Sequence, residues 1–138
     1  MPQLAAAHHI LVLTDYDGTL TPIVERPDMA TLSKDVGYLL EDLSHQSRLA
    51  LGVISGRALA DLKNKVMIKD IVYAGNHGLE IEGPGIAYVH PIAQEFRPIL
   101  RAVHHFLTRA LATIRGILIE NKDLSLSIHY RLVEESEV

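Results

Sequence analysis

Short uninterrupted apolar runs alternate with amphipathic stretches along the chain as far as residue 80, and then the pattern changes. Ile10 to Thr14 is a continuous apolar run that stops at an Asp/Gly turn, as expected of a strand buried on both faces in a parallel sheet. Thr21 to Thr31, with Pro22, Pro27 and Asp28, predicts a loop. Ser33 then stands where it can cap a helix, and Val36, Leu39, Leu40 and Leu43 follow at helical spacing. A second buried strand, Arg48 to Ile54, ends at Ser55-Gly56-Arg57. A helix over Ala58 to Val66 turns Leu59 and Leu62 inward. A third strand, Asp70 to Ala74, ends at Gly75-Asn76-His77-Gly78. Strand–helix alternation of this kind predicts an α/β fold, a parallel sheet with right-handed crossovers.

Beyond Glu80, a Glu82-Gly-Pro-Gly85 turn separates two short extended pieces that end near His90. Ala93 to Ile114 predicts one long helix, with Phe96, Ile99, Leu100, Val103, Phe106 and Leu107 on its apolar stripe. Pro98 fits that helix only near its start. Gly116 to Glu120 and Leu124 to Leu132 predict a hairpin around Asn121-Lys122-Asp123. Residues 1–80 are thus expected to form an α/β core and residues 81–138 a small α+β part.

Composition narrows the picture. Nearly half of the 138 residues are hydrophobic, enough for a packed core. The formal charge of −4, with no basic block, argues against a nucleic-acid footprint. There is no cysteine, which excludes disulfides, a thiol nucleophile and thiolate metal sites. No segment approaches the roughly 20 apolar residues of a membrane span, and Met1 to His9 lacks a basic, apolar leader pattern. A soluble cytoplasmic protein is the expectation.

Ligands of open parallel sheets bind beyond the carboxyl ends of the strands. All three predicted strands put polar residues there: Asp15 and Asp17, then Ser55 and Arg57, then Asn76 and His77. Asp15 and Asp17 lie two positions apart, so both can lean toward one pocket. Gly18 permits the turn, and Thr19 adds a hydroxyl and an amide. A carboxylate attacking a phosphate dianion meets charge repulsion that Mg²⁺ relieves, while a second acid serves the leaving group and the water. The plainer reading of Asp15-x-Asp17 is an Asx turn. Ser55-Gly56-Arg57 offers a hydroxyl, an amide and a guanidinium fork for phosphate, or else a helix cap and a solvated arginine. His77 has no second histidine or carboxylate at metal spacing, and His8, His9, His90, His104 and His105 suit solvated positions.

Asp15-Tyr-Asp-Gly-Thr-Leu-Thr-Pro-Ile23 and Val53-Ile-Ser-Gly-Arg57 resemble motifs of the haloacid-dehalogenase superfamily. Gly75-Asn-His-Gly-Leu-Glu80, Glu120-x-Lys122 and His129-Tyr-Arg131 narrow the resemblance to its trehalose-6-phosphate phosphatases. The resemblance runs from about Leu11 to Arg131. It implies a Rossmann-like core, here partial, with a small cap or lid, and a phosphoric monoester hydrolase of trehalose biosynthesis. By resemblance Asp15 is the nucleophile and Asp17 the general acid/base. The Asp15 carboxylate and the Asp17 carbonyl would bind Mg²⁺, while Gly18, Thr19, Ser55, Gly56 and Arg57 would surround the phosphate. Asn76 and His77 would line the sugar site, with Glu120, Lys122 and Arg131 holding disaccharide hydroxyls from the lid. The implied partners are a small sugar phosphate and a trehalose-6-phosphate synthase domain, with no nucleic acid or membrane. The family's core continues after the lid with a lysine and a further acidic pair, so the chain is expected to be the N-terminal portion of such an enzyme. A phosphatase for another sugar phosphate, such as sucrose phosphate, and a non-catalytic sugar-phosphate-binding module remain the alternatives.

Overall fold

The computed structural model describes residues 7–137, so residues 1–6, part of the segment read above as lacking a leader pattern, and Val138 lie outside it. Five strands form one sheet in the order β1 (Ile10–Asp15), β2 (Leu49–Ile54), β3 (Val72–Gly75), β4 (Glu80–Gly83) and β5 (Ile86–Val89). The first three are parallel, with Asp15 beside Ile54 and Ile54 beside Ala74, so their carboxyl ends finish level. Helix α1 (Lys34–Ser44) connects β1 to β2, and α2 (Leu59–Val66) connects β2 to β3. The Ser33 hydroxyl accepts the Val36 amide and caps α1 as its position predicts.

Parity along the strands builds the core. Val12, Leu51, Val53 and Tyr73 pack with Tyr16, Leu40, Leu62, Val66, Ile68 and Ile71. The opposite face differs from the two-sided burial expected of β1, for Leu11 is 63% exposed, Leu13 51% and Ile54 37%. The apolar run Ile10–Leu13 folds as an alternating strand because the helices pack over Val12 and Leu51 and leave its odd-numbered side open. Leu39 of α1 likewise turns outward, while Val36, Leu40 and Leu43 point into the core.

The chain divides into two compact units, residues 1–88 and 89–138. The β4–β5 hairpin, placed by sequence in the second part, instead extends the first sheet, because β4 pairs antiparallel with β3 from Tyr73–Glu82 to Gly75–Glu80. In the second unit the expected single helix is two, α3 (Pro91–Glu95) and α4 (Arg97–Ala110). Pro98 cannot donate to the Gln94 carbonyl, and its ring crowds that oxygen, so the helix restarts with the proline in its first turn. The predicted hairpin is present as β6 (Leu118–Asn121) and β7 (Leu126–His129), turned at Asp123 with φ +67°. No helix among the described residues is long and apolar enough to cross a membrane.

Candidate active site

The first loop is wound around one carbonyl. Tyr16, fully buried, anchors it, and its backbone oxygen accepts the amides of Leu20 (3.1 Å) and Thr21 (3.0 Å) and the Thr21 hydroxyl (3.1 Å). Gly18 donates to the Thr21 carbonyl at 2.8 Å with φ +86°, a left-handed conformation that costs a side-chain-bearing residue about 1–2 kcal/mol. With Tyr16 turned into the core, Asp15, Asp17 and Thr19 come out exposed at the carboxyl edge of the sheet.

The second loop supplies a cation that is already engaged. Arg57 is 5% exposed, and its Nε and Nη2 donate to the two carboxylate oxygens of Asp17 at 2.8 and 2.7 Å. Nη1 donates to Asp61 at 2.9 Å, Nη2 also reaches the Pro27 carbonyl at 2.7 Å, and the guanidinium lies 5.3 Å from the centre of the Tyr16 ring. Burial alone would lower its pKa, but the hydrogen bonds and charges of Asp17 and Asp61 outweigh that and raise it, so it stays a cation. The fork expected to meet phosphate therefore grips Asp17 instead, a bidentate arrangement that fixes the carboxylate's orientation. Burial also raises the Tyr16 pKa, against the opposing charge of Arg57. Ser55 is buried, its hydroxyl accepting the Arg57 amide at 3.1 Å, and so it holds the shape of this loop rather than capping α2.

The third loop is stitched to the second. The Asn76 amide donates to the Arg57 carbonyl (2.7 Å) and the His77 amide to the Ser55 carbonyl (3.0 Å). Asn76 and His77 both have positive φ, +48° and +59°. Asn76 was expected beside the sugar, but it is fully buried and its side-chain amide donates to Glu80 at 2.7 Å. His77 is exposed, and a Cβ on Gly56 would stand 2.5 Å from its Cε1, so Gly56 is the seat of the imidazole. Asp15, Asp17, Ser55, Gly56, Arg57 and His77 thus share one sheet edge. Glu120, Lys122 and Arg131 belong to the second unit, where Glu120 lies 3.7 Å from buried Lys122 and 2.9 Å from His129, and Arg131 is exposed.

Sequence reasoning missed Asp61, and it quoted Glu80 and His129 within motifs without giving either a role. Asp61 stands four residues after Arg57, a spacing that signals a helical ion pair. His129 faces Glu120 across a hairpin whose register was not foreseen. For Glu80 the signal was Ala58, a helix start with no capping oxygen.

The donor set for a cation is of the right kind. The Asp15 carboxylate and the Asp17 carbonyl are hard oxygens, two of the about six that Mg²⁺ takes. Among the described residues no three His, Asp or Glu side chains gather as a metal cluster.

A parallel sheet with an Asp-x-Asp turn after its first strand faces two further strand-end loops, and the fold is shared with the crystal structure of a trehalose-6-phosphate phosphatase related protein, at a TM-score of 0.81 and 22% identity over 91% of this chain and 54% of that one. A family model described as trehalose-phosphatase matches residues 13–138, and the chain belongs to that family. The probable trehalose-phosphate phosphatase 3 of Oryza sativa subsp. japonica is 36% identical over 96% of this chain and 40% of its own length. Trehalose 6-phosphate phosphatase RA3 of Zea mays is 36% identical over 99% of this chain and 41% of its own length. The C-terminal domain of the C. albicans trehalose-6-phosphate phosphatase superposes with a TM-score of 0.79 at 27% identity, covering 98% of this chain and 47% of that one. The chain spans about two fifths of the length of these curated relatives.

Proposed function

We propose that the chain carries the nucleophile side of a Mg²⁺-dependent phosphatase that hydrolyses trehalose 6-phosphate to trehalose and phosphate. The observation that carries this reading is the pairing of an exposed Asp15 with an Asp17 held at both oxygens by Arg57, on the edge where three loops meet. An Asp15 oxygen attacks phosphorus, and the bond from phosphorus to the sugar oxygen breaks as Asp17 protonates that oxygen. Asp17 then takes a proton from water, which attacks the aspartyl phosphate and frees phosphate and Asp15. The ion, held by the Asp15 carboxylate and the Asp17 carbonyl, would offset the repulsion between carboxylate and phosphate.

Thr19 would offer the phosphate its backbone amide, with Gly56 beside it and the Ser55 hydroxyl behind, while Gly18, whose amide goes to the Thr21 carbonyl, would shape the turn around it. His77 would meet the sugar, while Asn76 supports it from within. Glu120, Lys122 and Arg131 would form the lid's polyol contacts; the enclosed Lys122 and the Glu120–His129 pair favour a built site over a plain charged strand. A synthase domain as partner and a cytoplasmic setting belong to the same reading.

Phosphate release by the full-length protein tests it. Release from trehalose 6-phosphate should need Mg²⁺ and fall by on the order of a thousandfold or more in Asp15→Asn. Equal turnover of sucrose phosphate would overturn the substrate, and Mg²⁺-independent turnover would overturn the mechanism.

A further inference from the structure

Helix α2 begins without a cap of its own. Its N-cap residue is Ala58, whose methyl cannot accept a hydrogen bond. The Leu59 amide is instead satisfied from 21 residues downstream, by Glu80 Oε1 at 2.7 Å. The same oxygen accepts the Asn76 side-chain amide, also at 2.7 Å. One carboxylate oxygen at the start of β4 therefore binds both the helix that follows the second loop and the residue that begins the third. A negative charge at the amino end of a helix is well placed electrostatically.

The surrounding backbone is too close for another arrangement. A Cβ on Gly75 would stand 2.5 Å from the Leu59 nitrogen and 2.6 Å from its Cα, so the end of β3 and the start of α2 meet backbone to backbone. Asn76 and His77 follow in two consecutive left-handed conformations, which non-glycine residues hold only when their surroundings fix them. His77 comes out of that turn with its ring on Gly56.

We propose that Glu80 is the positioning residue of the substrate loop: by capping α2 and gripping Asn76 with one oxygen, it holds the His77 imidazole on Gly56. The proposal rests on the reading of His77 as a contact of the sugar phosphate. Both donors to Glu80 are neutral N–H groups, so a glutamine oxygen can replace the carboxylate, whereas alanine removes both bonds.

The test uses the full-length protein with Glu80→Ala, Glu80→Gln and the double variant Ala58→Ser/Glu80→Ala, which restores a helix cap but not the grip on Asn76. Each is assayed with trehalose 6-phosphate and with p-nitrophenyl phosphate, which has no sugar for His77 to meet. Glu80→Ala should lower kcat/KM for trehalose 6-phosphate by on the order of tenfold to a hundredfold, chiefly through KM. It should change p-nitrophenyl phosphate hydrolysis by less than about threefold, and Glu80→Gln should keep most activity on both. Ala58→Ser, which caps the Ala60 or Asp61 amide, should recover part of the melting temperature lost in Glu80→Ala without restoring the sugar-phosphate activity. Parallel losses on both substrates, or recovery of activity along with stability, would reduce Glu80 to a helix cap and overturn the proposal. The ring-current shift of Gly56 in NMR spectra reads the geometry without turnover. It should vanish in Glu80→Ala and persist in Glu80→Gln, and an unmoved shift in Glu80→Ala overturns the proposal even if the wild type releases no phosphate, which is failure of the phosphatase reading alone. Should Glu80→Ala not fold, Glu80→Asp, one methylene short of both donors, takes its place in every comparison.

Discussion

Residue by residue, the chemistry of this edge depends on how completely each charge is occupied. Arg57 directs its fork at the two oxygens of Asp17 and its remaining reach at Asp61 and the Pro27 carbonyl. Lysine keeps the charge but presents a single nitrogen, which cannot hold both Asp17 oxygens and also meet the other two partners. Arg57→Lys should therefore lower kcat/KM for trehalose 6-phosphate by about tenfold or more through loss of orientation at Asp17. It should lower kcat/KM far less for p-nitrophenyl phosphate, because that constant ends at the aspartyl phosphate and nitrophenolate leaves without a proton, whereas the water step that also uses Asp17 is common to both substrates. Equal losses, read from steady-state rates on the two substrates, would mean that Arg57 acts on the phosphate instead. Asp15 and Asp17 are legible from sequence because their spacing and the apolar run before them announce a strand-end turn. The partners of Arg57 are not, since Asp17 lies 40 residues back and Pro27 30. The burial of Asn76 was equally hidden, as its side chain suits a solvated loop as well as an enclosed hydrogen bond.

At the level of elements, local patterns located every strand and α-helix of the first unit, while contacts between elements decided how they join. Ser33 and the apolar spacing of α1 are local signals and were readable. The junction between α2 and β3 is closed by a side chain that no spacing announces: the buried Tyr73 hydroxyl donates to the Ile68 carbonyl at 2.6 Å and accepts the Ile68 amide at 3.0 Å, folding the connection back onto its own strand. Burial raises the Tyr73 pKa above the ordinary tyrosine value, although the hydrogen bond to Ile68 pulls the other way. The unfolded chain ionises this phenol at about pH 10, before the folded protein does. Stability from this group is thus fully present below about pH 10 and is lost as pH rises through the folded value. Urea unfolding at about pH 8 and pH 10.5 should show that decline, and Tyr73→Phe should make it shallower. The same substitution should cost about 1–3 kcal/mol at neutral pH, because the Ile68 amide and carbonyl lose their buried partner. A variant as stable as wild type at pH 8 would mean that the junction closes without the phenol. The break between α3 and α4 was not foreseen: Pro98 was read only as a residue that suits the start of one long helix, and the restart at Arg97 does put it in a first turn.

For the whole molecule the open question is what Leu11, Leu13 and Ile54 face. The run Ile10–Leu13 reads as a strand enclosed on both sides, yet in the structure only the Val12 side is covered and Leu11 is 63% exposed. Strand β1 also ends the order of its sheet, pairing with β2 alone among the described residues. An unpaired, apolar edge strand is a template for association, and a contiguous apolar face binds hydrophobic dyes. Leu11→Lys separates the two readings of this surface. In the 138-residue chain by itself, where the side chain is exposed, the substitution should change unfolding free energy by no more than about 0.5 kcal/mol. It should also lessen dye binding and self-association in sedimentation. The chain spans about 40% of the rice relative, and the two-sided apolar pattern of β1 favours a cover for this face in a longer protein. There the same lysine would be forced out of water, and its cost should rise to several kcal/mol. A large loss already in the 138-residue chain would show that the exposed face of β1 is covered from within it; the same small effect in both would show that the strand is meant to stay open.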